Sequence, residues 1–324
     1  MACNLGRWRQ HVAICLLFLI IETKHMPNFW IKLTIKQKLA LTAWLFLAVP
    51  LLFYITIRFY PTFEAFYVST LKWNLLGAKK AIGMKNYIKI FADEDFWLVL
   101  WNTIKYALVG VPVSMLIAFI IAYWLNEIDF GHELIRAMYF IPFLTTAVAM
   151  AWVWRWFYQP LPIGYFNIML SWVGIPQQPF LKSVTQGLYS IMAPAVWAGL
   201  GFQIVIFIAG IRAVPRSYFE AAEIDGAGRW QILREITLPA LKPTIIFLTV
   251  VSTIGFLRIF DQVYTMSADS AGGPLNSTKP LVLMIYEFAF DEFKLGRASA
   301  LTVILFLILL VVSLVQLWLM RKQR

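Results

Sequence analysis

Apolar residues in this chain neither alternate nor recur one face at a time. They come in unbroken runs of Leu, Ile, Val and Phe, each about twenty residues long, which is what a bilayer core of roughly 30 Å demands of a spanning helix. Six such runs lie near Leu39–Tyr60, Leu98–Leu125, Ile135–Phe157, Leu188–Ile211, Ala240–Tyr264 and Ser299–Met320. They predict an all-α polytopic membrane protein with six transmembrane helices, because helices satisfy their own backbone in lipid. Pro50, Pro112, Pro142 and Pro194 fall inside these runs and predict kinks. A seventh apolar run, Val12–Ile21, is too short to span. It follows Arg7 and Arg9 like a signal-peptide core but is followed by Glu22-Thr23-Lys24-His25 rather than a small-residue cleavage site. Met26 then opens a stretch that reads as a normal start, so residues 1–25 are expected to be an upstream over-annotation or a dispensable surface segment.

One long polar, helix-compatible run interrupts the apolar pattern, Glu220 to Pro239. Pro215 suits the first turn of a helix, where its missing N–H is not needed. Glu220 follows within about a turn and a half, where acid and helix dipole agree. Ala221 and Ala222 leave a face nearly free of side chains, open to close approach by another surface. Gly226 and Gly228 permit a turn. A second helix over Trp230–Thr237 is expected to end before Pro239. The prediction is a helix–turn–helix docking knob at 215–239. The spacing Glu220-Ala221-Ala222, Gly226 and Ile236-x-Leu238-Pro239 resembles the EAA signature of ABC importer permeases at every fixed position. The resemblance implies that the knob, Asp225 included, sits in a groove of a cytoplasmic ATPase and passes the closure of that subunit to the membrane helices.

Composition agrees with the membrane reading. Of the 324 residues 60% are hydrophobic and 14% charged, against about a quarter charged in soluble domains. Cys3 and Cys15 are the only cysteines, so the body has no disulfide framework. The net charge of +11 fits lysine and arginine held at the cytoplasmic face and near anionic lipid, not nucleic acid. Arg212, Arg216, Arg229, Arg234 and Lys242 surround the polar loop, Lys32, Lys36 and Lys38 precede the first span, and Arg321, Lys322 and Arg324 follow the last. Both termini are therefore expected inside, with residues 1–38 as a cytoplasmic segment, 39–320 as the permease domain and 321–324 as a basic tail. Two loops fit less well, the lysine-rich 61–97 loop outside and the acidic 126–134 loop inside. No phosphate loop occurs, so the chain is expected to be no enzyme and to bind no cofactor or metal of its own, with ATP and Mg on a partner.

A second stretch narrows the resemblance. Phe260-Asp261-x-x-Tyr264-x-Met266, Gly272-Gly273-Pro274, Ser277-Thr278, Ile285-Tyr286-x-x-Ala289-Phe290 and Gly296-Arg297-Ala298-Ser299-Ala300 are similar to the carbohydrate-uptake branch of these permeases. The segment Ser267–Ala271 is longer than that branch usually has before the glycines. The branch implies import of a sugar, polyol or glycoside into a bacterial cell across the inner membrane. It also implies an extracytoplasmic binding protein, a second related permease and ATP-binding subunits as partners. Chemically, Gly272-Gly273-Pro274 is a turn that projects a loop, either a plain connector or a contact site for the delivering protein.

Polar groups at membrane depth are functional candidates. Arg258 and Asp261 are spaced i, i+3 and are expected on one helix face, as an ion pair or a hydroxyl-binding pair. Gly199, Phe202 and Gln203 place an amide and an aromatic beside small residues, which suits sugar stacking and equally suits helix packing. Phe143 and Thr146 follow Pro142. The resemblance puts Phe143, Gly199, Phe202 and the Phe256–Arg258 region on the solute path. Arg155 and Lys105 read as snorkelling or packing charges. An ion-driven transporter would need more buried acids than Asp261, and an intramembrane enzyme would need histidines that His11, His25 and His132 do not supply inside the runs. A glycerol phosphate permease would want more cations than Arg258.

Overall fold

A computed structural model describes residues 34–75, 77–127, 132–267 and 272–321. The expectations for residues 1–33, the middle of the acidic loop, Ala268–Ala271 and the last three residues lie outside them. The chain forms two units, residues 1–64 and 65–324.

In the first unit α1, Ile35–Tyr54, starts from a capping box. The Thr34 amide donates to Gln37 Oε1 at 2.9 Å, and the Gln37 amide donates back to Thr34 Oγ1 at 3.4 Å, so the helix opens with its free donors occupied. The helix runs through Pro50 and widens into a π turn at Ile55–Phe59 before α2, Tyr60–Ser69.

In the second unit a short antiparallel ladder, β1 Leu71–Lys72 with β2 Lys80–Ala81, and α3, Lys85–Phe91, lead into α4, Glu94–Glu127. This 34-residue helix is the spine. Its buried positions Val99, Thr103, Tyr106, Gly110, Ser114, Ala118, Ala122 and Leu125 recur every three or four residues, so they form one stripe. From Gly110 to Ala122 the stripe is small at every fourth residue, which lets neighbouring elements pack closely. A Cβ on Gly110 would stand 2.5 Å from the Phe256 ring, which fills that space. Packed around the spine are α8, Gly187–Arg212, and α12, Lys242–Leu257. A second core joins α3 and the start of α4 to α14, Leu281–Tyr286, and to the first half of α15, Leu295–Arg321.

Among the described residues four helices are long and apolar enough to cross a membrane, Ile35–Ser69, α4, α8 and Leu295–Leu319, and up to six spans result if two bent pairs each count as one. The expected third span is one such pair. It is divided into α5, His132–Leu144, and α6, Ala147–Phe157, bent by 104°. Pro142 ends the first half, and Thr146 restarts the helix by accepting from the Ala149 amide at 3.4 Å. Of the four prolines expected to kink, only Pro142 stands at a break; the helices run on through the others. Between α6 and α8 lies α7, Tyr165–Trp172.

The expected fifth span is also shorter than its apolar run. It ends at Leu257 and the chain restarts as α13, Asp261–Met266. Phe260 stands between them at φ −142°, ψ −61°. Arg258 and Asp261 therefore do not share a helix face, which corrects the i, i+3 expectation, and among the described residues they form no ion pair with each other.

Candidate functional site

The polar loop folds as two helical arms. Pro215 lies just outside the first helix as its N-cap, not in its first turn, and α9 covers Arg216–Ile224. Asp225 caps the end, and Gly226 follows at φ +75°, a left-handed conformation that a side chain would strain. Gly228, at φ −73° and ψ 160°, opens the second arm as its N-cap. That arm is α10, Arg229–Ile232, then a π turn over Leu233–Thr237, then α11, Leu238–Ala240. The helical path thus continues through Pro239 instead of stopping before it. The wider π turn gives the proline ring room, since its bonds skip one residue further along the chain. The bend comes instead at Leu241, where this arm meets α12 at 65°.

No residue of α9 is buried. Ile224 is 86% and Trp230 72% exposed, and Tyr218 is exposed as well. These apolar side chains stand open on a loop that also carries many charges. A cleft of about 480 Å³ separates the arms, with Ala221, Ala222, Asp225 and Ile236 in its lining. Glu220 points elsewhere. It lines a second cleft of about 790 Å³ with Glu223, Arg216 and the ends of α4 and α8. There Arg229 reaches Glu127 at 3.9 Å, tying the loop to α4, and Arg212 Nε donates to Asn126 Oδ1 at 3.4 Å, joining the ends of α8 and α4.

At the other end of α12 the Gly272-Gly273-Pro274 turn is held from α4. Gly272 and Gly273 take φ +99° and +72° and are buried. Asn102 Nδ2 donates to the Asn276 and Lys279 carbonyls at 2.9 and 3.3 Å. Tyr106 Oη donates to the Thr278 carbonyl at 3.1 Å, and the Leu281 amide donates to Thr103 Oγ1 at 2.8 Å. Lys279 pairs with Glu287 at 2.7 Å. What projects from this braced turn is Leu275, 83% exposed. The sequence reading missed Asn102, Thr103 and Tyr106. Polar side chains in an apolar run, one helical turn apart, were the signal.

The residues singled out for the solute path divide. Phe143 and Phe202 stack with ring centres 5.6 Å apart at 20°, both partly open, and Gly199 is half-buried on the same helix as Phe202. This bridges α5 and α8, which approach so closely that a Cβ on Gly201 would lie 2.4 Å from the Tyr139 carbonyl oxygen. Arg258 and Asp261 are exposed. Gln203 is only 4% exposed. Its amide nitrogen donates to Ser114 Oγ at 3.2 Å and Ser252 Oγ at 3.1 Å, knitting α8 to α4 and α12. Phe256 is buried against Gly110, and Thr146 is occupied as a helix cap. Arg155 donates to the Thr265 carbonyl at 3.3 Å and lies over the Trp152 ring, while Lys105 lies over Trp101, both consistent with packing charges.

Residues 99–324 match the family model described as the binding-protein-dependent transport system inner membrane component. The chain belongs to this family. The probable ABC transporter permease protein YesP of Bacillus subtilis is 34% identical over 258 residues, 79% of this chain and 82% of its own length. The arabinooligosaccharides transport system permease protein AraP of Halalkalibacterium halodurans is 31% identical over 270 residues, 83% of this chain and 84% of its own. The trehalose/maltose transport system permease protein MalF of Thermococcus litoralis is 29% identical over 246 residues, 76% of this chain and 82% of its own. In fold the chain is similar to a chain of a bacterial ABC transporter involved in the import of the acidic polysaccharide alginate, at TM-score 0.75, 22% identity, 91% of this chain and 99% of the other. The chain is thus a non-catalytic ABC permease subunit of the membrane, and hydrolysis of ATP belongs to a separate subunit.

Proposed function

We propose that this permease is one of two related membrane subunits in an importer of sugars of the oligosaccharide kind, the second permease completing the solute path. A polyol or glycoside falls within the same chemistry. The reading is supported by relatives named for arabinooligosaccharides, trehalose/maltose and starch degradation products. The observation that carries it is the uncovered two-armed loop joined to α12 through a single bend. In this reading the loop faces the cytoplasm, the six-span count holds with both termini inside, and an ATPase covers Tyr218, Ile224 and Trp230. Closing the ATPase moves the loop, the bend at Leu241 passes the motion to α12, and access alternates from one side to the other. Glu220 acts through the cleft beneath the loop, where added positive charge would meet Arg216 and Arg229. The solute meets Phe143, Gly199, Phe202 and Arg258, by stacking on the rings and charge-assisted bonding to hydroxyls. An extracytoplasmic binding protein delivers the solute at the Gly272-Gly273-Pro274 end.

The test is purification of the tagged chain in mild detergent, with identification of co-purifying proteins and an ATPase assay. Recovery of a second permease and an ATPase, with hydrolysis lost on Glu220→Lys, is the expected result. A chain that purifies alone yet transports in proteoliposomes on an ion gradient would overturn it.

A further inference from the structure

Four aromatic rings gather at the end of α12 remote from the 215–239 loop: Phe260, which caps α13, Tyr264 of α13, Tyr286 of α14, and Phe290 of the π turn Glu287–Asp291 that follows α14. Phe260 stacks on Tyr264 with centres 5.5 Å apart at 23°. Tyr286 lies 5.4 Å from Phe260 and 5.3 Å from Tyr264, and Phe290 continues from Tyr286 at 5.0 Å. Each helix divides its residues by face. Val263 and Met266 of α13 are fully buried, as is Leu281 of α14, with Met284 and Phe288 nearly so. The buried residues thus anchor these segments and leave Tyr264 49% and Phe290 62% exposed, while Phe260 and Tyr286 are half-buried and Phe260 packs on the core. The adjacent Tyr264 phenol, with Asp291 close by, holds the Tyr286 phenol above its ordinary range. Asp261, next to Phe260, and Asp291 are both exposed.

We infer that Phe260, Tyr264, Tyr286 and Phe290 form a stacking platform for pyranose or furanose rings, separate from the path residues Phe143 and Phe202, at which an oligosaccharide is held before it enters the membrane. The inference rests on the sugar reading of the protein. Its chemistry is that of sugar recognition, in which the C–H face of a ring lies on an aromatic face and the hydroxyls bond to carboxylates and phenols at the edge. Lipid is the competing occupant, since aromatic side chains belt the membrane interface. Two exposed carboxylates beside the rings argue against it, because acids are unfavourable against hydrocarbon. Belt residues also anchor singly, whereas these four rings contact one another across two helices.

The experiment uses the whole complex in nanodiscs without its binding protein. Maltopentaose, arabinopentaose and an alginate pentasaccharide serve as probes, with affinity read by saturation-transfer NMR and uptake by reconstituted vesicles. At least one probe is expected to bind. Tyr264→Ala and Tyr286→Ala should each weaken it by roughly fivefold, as the loss of one aromatic contact implies. Tyr264→Phe should retain the binding, whereas Phe202→Ala, in the path, should lose uptake. Unchanged basal ATPase activity and thermal stability show that the alanine variants are folded. Probe binding that persists in both alanine variants while wild-type uptake is intact overturns the platform and leaves the sugar reading standing. No binding and no uptake of any probe overturns both. If the alanine variants change only the lipid dependence of stability, the rings belong to the interface and the platform is wrong.

Discussion

Two turns in this permease use the same backbone device in opposite surroundings. Gly226 in the coupling loop sits at φ +75° and Gly273 in the remote turn at φ +72°. Around Gly226 a side chain would meet nothing within 4 Å, whereas at Gly273 it would stand 2.7 Å from Thr278 Oγ1. The coupling loop has no buried residue in its first helix and exposes Ile224 and Trp230. The remote turn is tied to α4 by four hydrogen bonds from or to Asn102, Thr103 and Tyr106. The first is left open on the surface, and the second is completed from within the chain. A segment that must move with a partner is drawn from the sparsely packed regions of a fold, while a turn that must present a fixed surface is braced.

Substituting valine at the two glycines breaks this comparison most directly. Gly273→Val adds a collision to the left-handed strain, so the purified complex should lose on the order of 3 kcal/mol of stability or fail to assemble. Gly226→Val adds strain alone, about 1–2 kcal/mol, and the loop should remain formed. Thermal unfolding of both variants in the same nanodiscs measures the difference. Equal losses would mean that the braced turn is no more constrained than the open one.

Asn102→Ala comes next. It strips two loop carbonyls of a buried donor, for about 1–3 kcal/mol. Limited proteolysis should cut near Leu275 sooner than in the wild type, while Tyr106→Phe, which removes one bond, should give a smaller change. A cleavage rate unaltered in Asn102→Ala would show that the turn holds itself.

Much of this was legible in the chain. Runs of apolar residues marked α4, α8 and α15 to within a few positions, because in lipid a helix needs little beyond length and hydrophobicity. In the 215–239 loop the turn at Gly226 was legible because a glycine acts locally, whereas Pro215 stands outside the first helix and the helical path runs on through Pro239. What could not be read were events decided by contacts distant in sequence. The 104° bend after Pro142 has a visible local cause, yet its size depends on the surroundings of α5 and α6. The break at Phe260 separates Arg258 from Asp261 although both lie in a continuous apolar pattern. Gln203 read equally as a sugar-bonding amide or a packing residue, and its donors are engaged by Ser114, 89 residues away, and Ser252. Phe143 and Phe202, which remain partly open, have each other's ring as partner.

Trp230→Ala separates the stability of the chain from its assembly. The indole is 72% exposed, so its loss should leave the unfolding temperature of the isolated permease within the small range usual for surface changes, about 0.5 kcal/mol. Recovery of the ATPase in a pull-down should fall several-fold, because an exposed tryptophan covered by a partner is a common binding hot spot. A large loss of stability in the isolated chain would place Trp230 in the fold instead of the interface.

Glu127→Gln is the finest test, and its expected effect is the smallest. Arg229 and Glu127 approach only to 3.9 Å, with 89% and 49% of their side chains exposed. Such a pair contributes less than about 1 kcal/mol and is screened by salt. Its position still matters, because it crosses from the coupling loop to the end of α4. If the loop is held chiefly by its partner, Glu127→Gln should leave ATPase stimulation nearly unchanged at high salt and lower it modestly at low salt. A large, salt-independent loss would show that the coupling loop is braced from its own membrane helices as firmly as the remote turn, and the contrast between the two ends of α12 would disappear.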